Sequence, residues 1–579
     1  MKAERFQNRT RVIFSLFLLA GLLFTIRLYF LQVVEGDRYS ERADRQYTSV
    51  SSNTYDRGRI FFLDKNGVEL SAATMDTGYI LALNIALVGD RAEEYYKKLT
   101  AIVPIEANAF YAKTAKKDDP YEEIARRLSY EQVDQVNALK LPGVIIEREK
   151  WRSYPGKSLA ARVIGFLGYN DDGTVLEGRY GLEKYYEKTL SRDTSTLYVN
   201  IFAELFSNIS NVILSNKSRE GDIVTRIDPE LEGYAEKIIA DTRAKWNADV
   251  AGAIIMDPKE GGIYAMAISP TFDLNNFRGA SVSVFGNPLV SDAYEMGSII
   301  KPLTMAAGLD AGVVTAKTTF QDKGSVTLDG RTIYNFDKKV RGTVDMQAVL
   351  DNSLNTGATF VMQQLGKQSF LEYFKGYGLG TETGIDLPAE AAGNIANLTQ
   401  NLTNTKQIEY ATASFGQGIS MTPIATARAL SVLGNGGKLV IPHVAEKINY
   451  KVGLSKTISY ENEAKQVLKK ETSEEISRML VSVVDHALLG GTMKMEHYSI
   501  AAKTGTAQMA RPAAQGGGYY PDKYLHSFFG YFPAYNPRFL VFLYVVDPKG
   551  VNYASQTLTS PFFDLAEYLI NYYEIPPDR

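Results

Sequence analysis

The chain has 579 residues, 45% hydrophobic and 22% charged, with a net charge of -3. That balance excludes a fibre or a disordered chain and argues against a general nucleic-acid binder, which is usually basic. No cysteine is present, so disulfides, thiolate catalysis and cysteine-based zinc sites are excluded. His443, His486, His497 and His526 show no metal-binding spacing.

Val12 to Val34 is a long apolar run with Arg27 as its one charge. It exceeds the ~20 residues that a bilayer core requires, and Arg27 lies far enough along it to reach the headgroups. Lys2, Arg5, Arg9 and Arg11 precede the run against Glu4 alone, which predicts a cytoplasmic N-terminus. A cleaved signal peptide would carry a shorter apolar stretch and a small-residue cleavage site. Glu35-Gly36-Asp37-Arg38-Tyr39 follows instead. The expectation is a cytoplasmic tail at 1–11, a membrane helix at 12–34, and everything beyond it outside the inner membrane.

Residues 35–228 read as an irregular α/β region. Apolar residues recur at helical spacing over Tyr121 to Leu139, and Val144 to Ile146 reads as a strand. The stretch 190–220 carries no recognisable motif. The texture changes near Asp228. Ala251–Met256 and Ile263–Ile268 flank a Pro- and Gly-bearing turn, a hairpin signal. Ser298–Leu309 and Thr356–Leu365 read as helices and Asn394–Thr405 as a polar loop. Tyr498–Ala501, His526–Phe532 and Arg538–Val546 read as strands, and Phe562–Tyr573 as a closing helix. Strands at both ends of 229–579 with helices between them predict an α+β domain: an antiparallel sheet with helices on both faces and a helical subdomain.

Three short motifs carry chemistry. Ser298-Ile299-Ile300-Lys301 is the only S-x-x-K in the chain. Residues three apart share a helix face, so Lys301 can take the proton of Ser298, as a serine nucleophile requires. Pro302 cannot donate to the carbonyl four residues back, so the helix should start or distort at Ser298. Ser353-Leu354-Asn355 places a hydroxyl and an amide where an extended loop would point both one way, to relay a proton and hold a substrate amide. Ser51-Ser52-Asn53 matches the same short pattern but lies away from the other motifs. Lys503-Thr504-Gly505-Thr506 is the only K-T-G. Lys503, Thr504 and Thr506 suit a carboxylate, and Gly505 leaves room for a substrate backbone to add as a strand.

These motifs, in this order, resemble those of the penicillin-recognising serine acyltransferases. Further segments narrow the likeness to class B penicillin-binding proteins. They are YDRGRIFFLDKNGVEL at 55–70, RSYPGKSLAARVIG at 152–165, GLE at 181–183, AIIMDPKEGGIYAMAISPTF at 253–272, FGQGISMTP at 415–423 and SFFGYFP at 527–533. Met296 stands where the class usually has Pro, Ala502 stands where Gly is frequent, and two extra residues separate Ile60 from Asp64.

The resemblance implies a pedestal of the dimerisation type at 35–228 and a transpeptidase domain at 229–579. It implies a peptidoglycan D,D-transpeptidase that forms an acyl-enzyme on Ser298, with Lys301 as base and Ser353 and Asn355 assisting. Lys503, Thr504, Gly505 and Thr506 would hold the stem peptide, and the Ser298 and Thr506 N–H groups the oxyanion. β-Lactams would trap the enzyme, with no metal or cofactor involved. It also implies a partner, a membrane glycan polymerase of the shape, elongation, division and sporulation family. Overall length, the short pedestal and Lys140-Leu141-Pro142-Gly143 look more like the septal branch than the elongation branch. A D,D-carboxypeptidase, a β-lactamase and a non-catalytic sensor or divisome scaffold are the rival readings.

Overall fold

The computed structural model describes residues 56–116, 119–173, 175–192 and 220–579, with Leu19 and Leu22. The expected membrane helix and most of the motif-free stretch 190–220 lie outside the described residues. Among the described residues no helix is long and apolar enough to cross a membrane. The chain divides into two compact units, one containing Thr77–Lys150 and the other Asp56–Asp76 with Trp151–Arg579.

In the smaller unit, Tyr79 to Leu83 pairs antiparallel with Leu128 to Glu122. Helices Ala92–Thr100, Ala107–Thr114 and Tyr130–Ala138 fill the core with Tyr95, Leu99, Phe110, Val133 and Val136. The single helix expected over Tyr121–Leu139 is therefore a strand, Glu122–Leu128, followed by a helix. Ser129 is the reason. Its backbone is extended, and its side chain forms a reciprocal capping box with Gln132, so the helix cannot begin earlier.

In the larger unit, Ile60–Leu63 pairs with Leu70 and its neighbours on one side and runs parallel to Ile223–Val224 on the other. Gly221–Thr225 then pairs with Ala445–Tyr450. The second sheet of this unit is the one that positions the site. Its elements are α1 (Pro229–Lys245), β1 (Val250–Met256), β2 (Ile263–Ser269), α2 (Lys301–Asp310), α3 (Met346–Asp351), α4 (Asn355–Gly376), α5 (Pro423–Ser431), α6 (Lys470–Ser482), β3 (Ala501–Ala510), β4 (Tyr519–Phe532), β5 (Phe539–Val546) and α7 (Thr559–Tyr572). The strand order is β3-β4-β5-β1-β2, antiparallel throughout.

Every residue of β5 is buried, because both faces of the sheet are covered. Val541, Leu543 and Val545 meet Leu231 and Ile239 of α1 and Phe562 and Leu569 of α7. Phe542 and Tyr544 face the core that holds Ile299, Leu303 and Leu480. Between the helices lie two small antiparallel pairs, Thr319–Asp322 with Gly342–Asp345 and Ser325–Leu328 with Arg331–Tyr334. Asp329-Gly330 turns the second pair, with φ of 47° and 76°. The closing helix starts at Thr559, the strand expected from Tyr498 begins only at Ala501, and the Asn394–Thr405 loop holds a short helix, Ala396–Gln400.

A buried ion cluster gathers the segments that precede this domain. Arg57 Nε donates to Glu183 Oε2 at 2.6 Å, and Arg152 Nε donates to Glu183 Oε1 at 2.7 Å. Tyr154 donates its hydroxyl to Glu183, and a second edge of Arg57 pairs with Glu187. Glu183 and Arg57 are 0% and 3% exposed. Breaking a buried pair leaves one charge uncompensated, at a cost of about 3–5 kcal/mol. Glu183→Ala is accordingly expected to lower the denaturation midpoint by that much stability. Arg59→Ala, which removes a largely exposed pair with Asp222, should cost under about 1 kcal/mol. Equal losses in a denaturant titration would show that the Glu183 cluster is not a fastening.

Candidate active site

Ser298 sits on a 3-10 turn, Gly297–Ile300, that feeds directly into α2. Pro302 lies in the first turn of α2, where a missing N–H costs nothing. The short turn therefore absorbs the distortion that proline imposes, and Ser298 stands just before the positive end of α2. From Lys301 to Gly308 α2 is buried on all sides, so its first residue is a lysine placed inside the core.

Lys301 Nζ reaches three oxygens. It lies 3.0 Å from Ser298 Oγ, 3.0 Å from Ser353 Oγ and 2.5 Å from the Ser353 carbonyl. It is 1% exposed. Burial holds this amine well below the usual lysine range, and the nearby charge of Lys503 pushes it the same way. Lys503, on β3, is also buried, which draws its amine down to about 8 while Asp351 pulls it back up. Both amines are thus held below the usual lysine range, chiefly by burial.

Ser353 is not in the extended conformation expected of its loop. Its φ is +51°, and it sits in the tight connection between α3 and α4. That turn aims both its hydroxyl and its carbonyl at Lys301. Asn355 opens α4 and donates its amide to the Tyr334 carbonyl at 2.8 Å. Next to it, Thr356 donates its hydroxyl to Asp322, which also holds Asn335. The small strand pairs are thereby pinned to the serine turn.

On β3 the side chains alternate. Lys503 and Gly505 are buried, while Thr504 and Thr506 are half-exposed. Thr506 Oγ1 accepts the Ala554 N–H at 3.1 Å. β3 is the last strand of its sheet, so its outer edge faces away from β4. Gly505 departs from the sequence expectation. A β-carbon there would meet Ser527 Oγ and come within 2.7 Å of the Met296 carbonyl. The space it leaves is filled by the nucleophile turn, because a side chain there would point inward. Gly297 matches this from the other side: its φ is +64°, and a β-carbon would stand 2.5 Å from the Thr506 carbonyl.

Four residues near this turn were not singled out from sequence. Gly416 accepts the Gly297 N–H at 3.0 Å and has no room for a side chain. Ser527 donates to the Met296 carbonyl at 2.9 Å. Tyr519 donates its hydroxyl to Glu295, at 3.0 and 3.1 Å from the two carboxyl oxygens. This ties the start of β4 to the nucleophile turn. No local pattern announces such pairs, since each joins residues far apart in sequence. Gly505→Ala is expected to push the turn away from β3 and slow covalent acylation of Ser298 about 100-fold, the scale of a ~1 Å misplacement. Intact-mass measurement of the acylation rate checks this, and a loss under about threefold would remove the seating role.

The comparisons with known proteins bear on the family and the fold. The family described as "Penicillin binding protein transpeptidase domain" matches residues 251–565, and "Penicillin-binding Protein dimerisation domain" matches residues 53–222. Stage V sporulation protein D of Bacillus subtilis is 30% identical, covering 97% of this chain and 85% of its own length. Peptidoglycan D,D-transpeptidase FtsI of Buchnera aphidicola subsp. Schizaphis graminum is 26% identical, covering 98% and 95%. The fold is shared with penicillin binding protein 3 of Mycobacterium tuberculosis, solved with aztreonam. The TM-score is 0.66 at 22% identity, over 91% of this chain and 98% of that one. It is also shared with Penicillin Binding Protein 2X of Streptococcus thermophilus, with a TM-score of 0.72 at 18% identity, over 90% and 81%. The chain, with its catalytic-type core joined to a dimerisation-type region, belongs to the penicillin-binding protein transpeptidase family.

Proposed function

We propose that this chain cross-links peptidoglycan stem peptides as a serine D,D-transpeptidase whose acyl-enzyme forms on Ser298. The observation that carries the reading is the buried Lys301 amine, 3.0 Å from both Ser298 Oγ and Ser353 Oγ. A lysine is a base only when neutral, and burial supplies that condition.

The reaction then runs as follows. Lys301 takes the Ser298 proton as Oγ attacks the carbonyl carbon of the D-Ala-D-Ala bond. The oxyanion is received by the N–H groups of Ser298 and Thr506, preorganised donors of the kind that stabilises acyl transfer. The carbon–nitrogen bond breaks, and the proton passes from Lys301, through the Ser353 hydroxyl, to the departing D-Ala amine. An amine of a second stem peptide attacks the ester, its proton returns to Ser298, and the cross-link forms. Lys503 and Thr504 hold the terminal carboxylate of the donor, and Asn355 holds the substrate backbone. The open edge of β3 suits a peptide lying alongside as an added strand.

In this reading β-lactams acylate Ser298 in place of the donor, as the aztreonam complex of the Mycobacterium tuberculosis relative suggests. Residues 1–11 are cytoplasmic, 12–34 anchor the chain in the membrane, 35–228 form the pedestal and 229–579 the catalytic domain outside. The family matches over 53–222 and 251–565 support the last two. The glycan strand comes from a membrane polymerase of the shape, elongation, division and sporulation family. The branch is septal, supported by the FtsI name of the Buchnera aphidicola relative.

Ser298→Ala is expected to abolish labelling by a fluorescent penicillin while the fold persists, and an adduct on any other serine would overturn the assignment. Lys301→Arg should lose at least ~1,000-fold in acylation rate, within the range of general-base catalysis, because arginine stays charged. Lys503→Arg should keep measurable activity. Acylation by the natural chain should fall on the acid side, as Lys301 gains a proton below its depressed pKa. Stopped-flow acylation with a chromogenic β-lactam reads all three, and a Lys301→Arg rate within about tenfold of the natural chain rules out the lysine as base. Depletion in the native host should give filaments with blocked septa; round cells would place the chain in the elongation branch.

A further inference from the structure

His526 is a buried titratable side chain to which the mechanism above gives no part. It lies on β4 directly opposite Thr506 of β3, so the two side chains share one face of the sheet. It is 0% exposed. Burial draws its ring down to about 4, so near neutral pH it is uncharged and carries a single N–H.

That N–H enters a linked set of bonds. The connection from β5 to α7 holds a short helix, Ala554–Thr557, that packs against both β3 and β4. Thr557 has one hydroxyl proton and donates it to the Ala554 carbonyl at 3.2 Å. Its oxygen is then the acceptor for His526 Nδ1, 3.0 Å away. At the start of the helix the Ala554 N–H donates to Thr506 Oγ1 at 3.1 Å. One bond thus fastens the end of this helix to β4, and another fastens its start to β3. The Thr506 oxygen is occupied by a backbone donor, which leaves its own hydroxyl proton for an acceptor in the cleft.

We propose that His526 is a positioning residue for recognition of the donor carboxylate: through Thr557 it holds the Ala554 segment against β3, and so aims the Thr506 hydroxyl at that group. This rests on the reading above, in which β3 receives the stem peptide. A hydroxyl free to rotate must be ordered when substrate binds, whereas one already held by a backbone N–H need not be. A carboxylate acceptor makes the resulting bond charge-assisted, so its alignment carries weight. An apolar side chain at position 526 would fill the same space but take the donor away from the Thr557 oxygen. The short helix would then be held by hydrogen bonding at its Thr506 end only.

The test compares acylation of the full-length protein by a chromogenic cephalosporin and by the methyl ester of the same compound, which lacks the carboxylate charge. His526→Leu should slow the carboxylate form about tenfold, the low end for one hydrogen bond to a charged group, and the ester by less than about twofold. His526→Asn should restore the carboxylate rate, because its amide N–H can take the place of Nδ1–H. Thr557→Val keeps the shape and removes the hydroxyl; it should reproduce the selective loss, and the double variant should lose no more than either single one. Equal losses on both compounds assign His526 a purely structural part and overturn the proposal, as does a His526→Asn protein as slow as His526→Leu. If His526→Leu does not fold, Thr557→Val decides by the same comparison. A natural chain that reacts as fast with the ester as with the carboxylate refutes carboxylate recognition itself, a separate failure that takes the proposal with it.

Discussion

A lysine amine buried in the core is the constraint from which the rest of this site follows. A lysine can take a serine proton only without its own, and burial together with the Lys503 charge favours that form of Lys301. The surroundings of α2 are built accordingly: from Lys301 to Gly308 every residue is buried. The amine is not left unsatisfied, because Ser298 and Ser353 supply two hydroxyls and one carbonyl within 3.0 Å. Ser353 meets that demand through a left-handed backbone, a conformation uncommon for a residue with a side chain. The strain sits at the site it serves.

Placing the serine beside β3 is a second requirement, met by leaving atoms out. Gly297, Gly416 and Gly505 allow three stretches of backbone to touch where any β-carbon would separate them. The Ser527 hydroxyl and the Glu295–Tyr519 bond then lock the turn to β3 and β4. Met296 and Ala502, unusual residues for the family, are both fully buried and enter the apolar packing here. Neither brings a polar side chain to the site; Met296 contributes only its backbone carbonyl, which accepts the Ser527 hydroxyl.

The Glu183 cluster gives the remaining motifs a physical purpose. Arg57, Arg152, Tyr154 and Glu183 come from three separate segments and converge on one carboxylate. None touches Ser298. Buried charges of both signs are costly unless each is paired, so such a cluster closes correctly in one arrangement only.

The chemistry was legible in the sequence because catalysis constrains short patterns. Ser298 and Lys301 lie three apart on one helical face, Pro302 marks where that helix begins, and Lys503 to Thr506 alternates as a strand must. The short apolar runs of β1, β2, β4 and β5 were equally local. The Asp329-Gly330 turn was an available signal for the small strand pair that was passed over, although this dipeptide favours two-residue hairpins. The strand at Glu122–Leu128 was obscured because its apolar spacing also fits a helix, and only the cap at Ser129 separates the two. Other features could not be read locally at all. The left-handed turn at Ser353, the inward face of Gly505 and the Tyr519–Glu295 bond each join segments distant in sequence. The sequence by itself determined which groups can react, since reactivity resides in residue type and short spacing. Only the tertiary structure decided that both lysine amines are drawn below their usual range, since a pKa depends on burial and on charges that folding brings together.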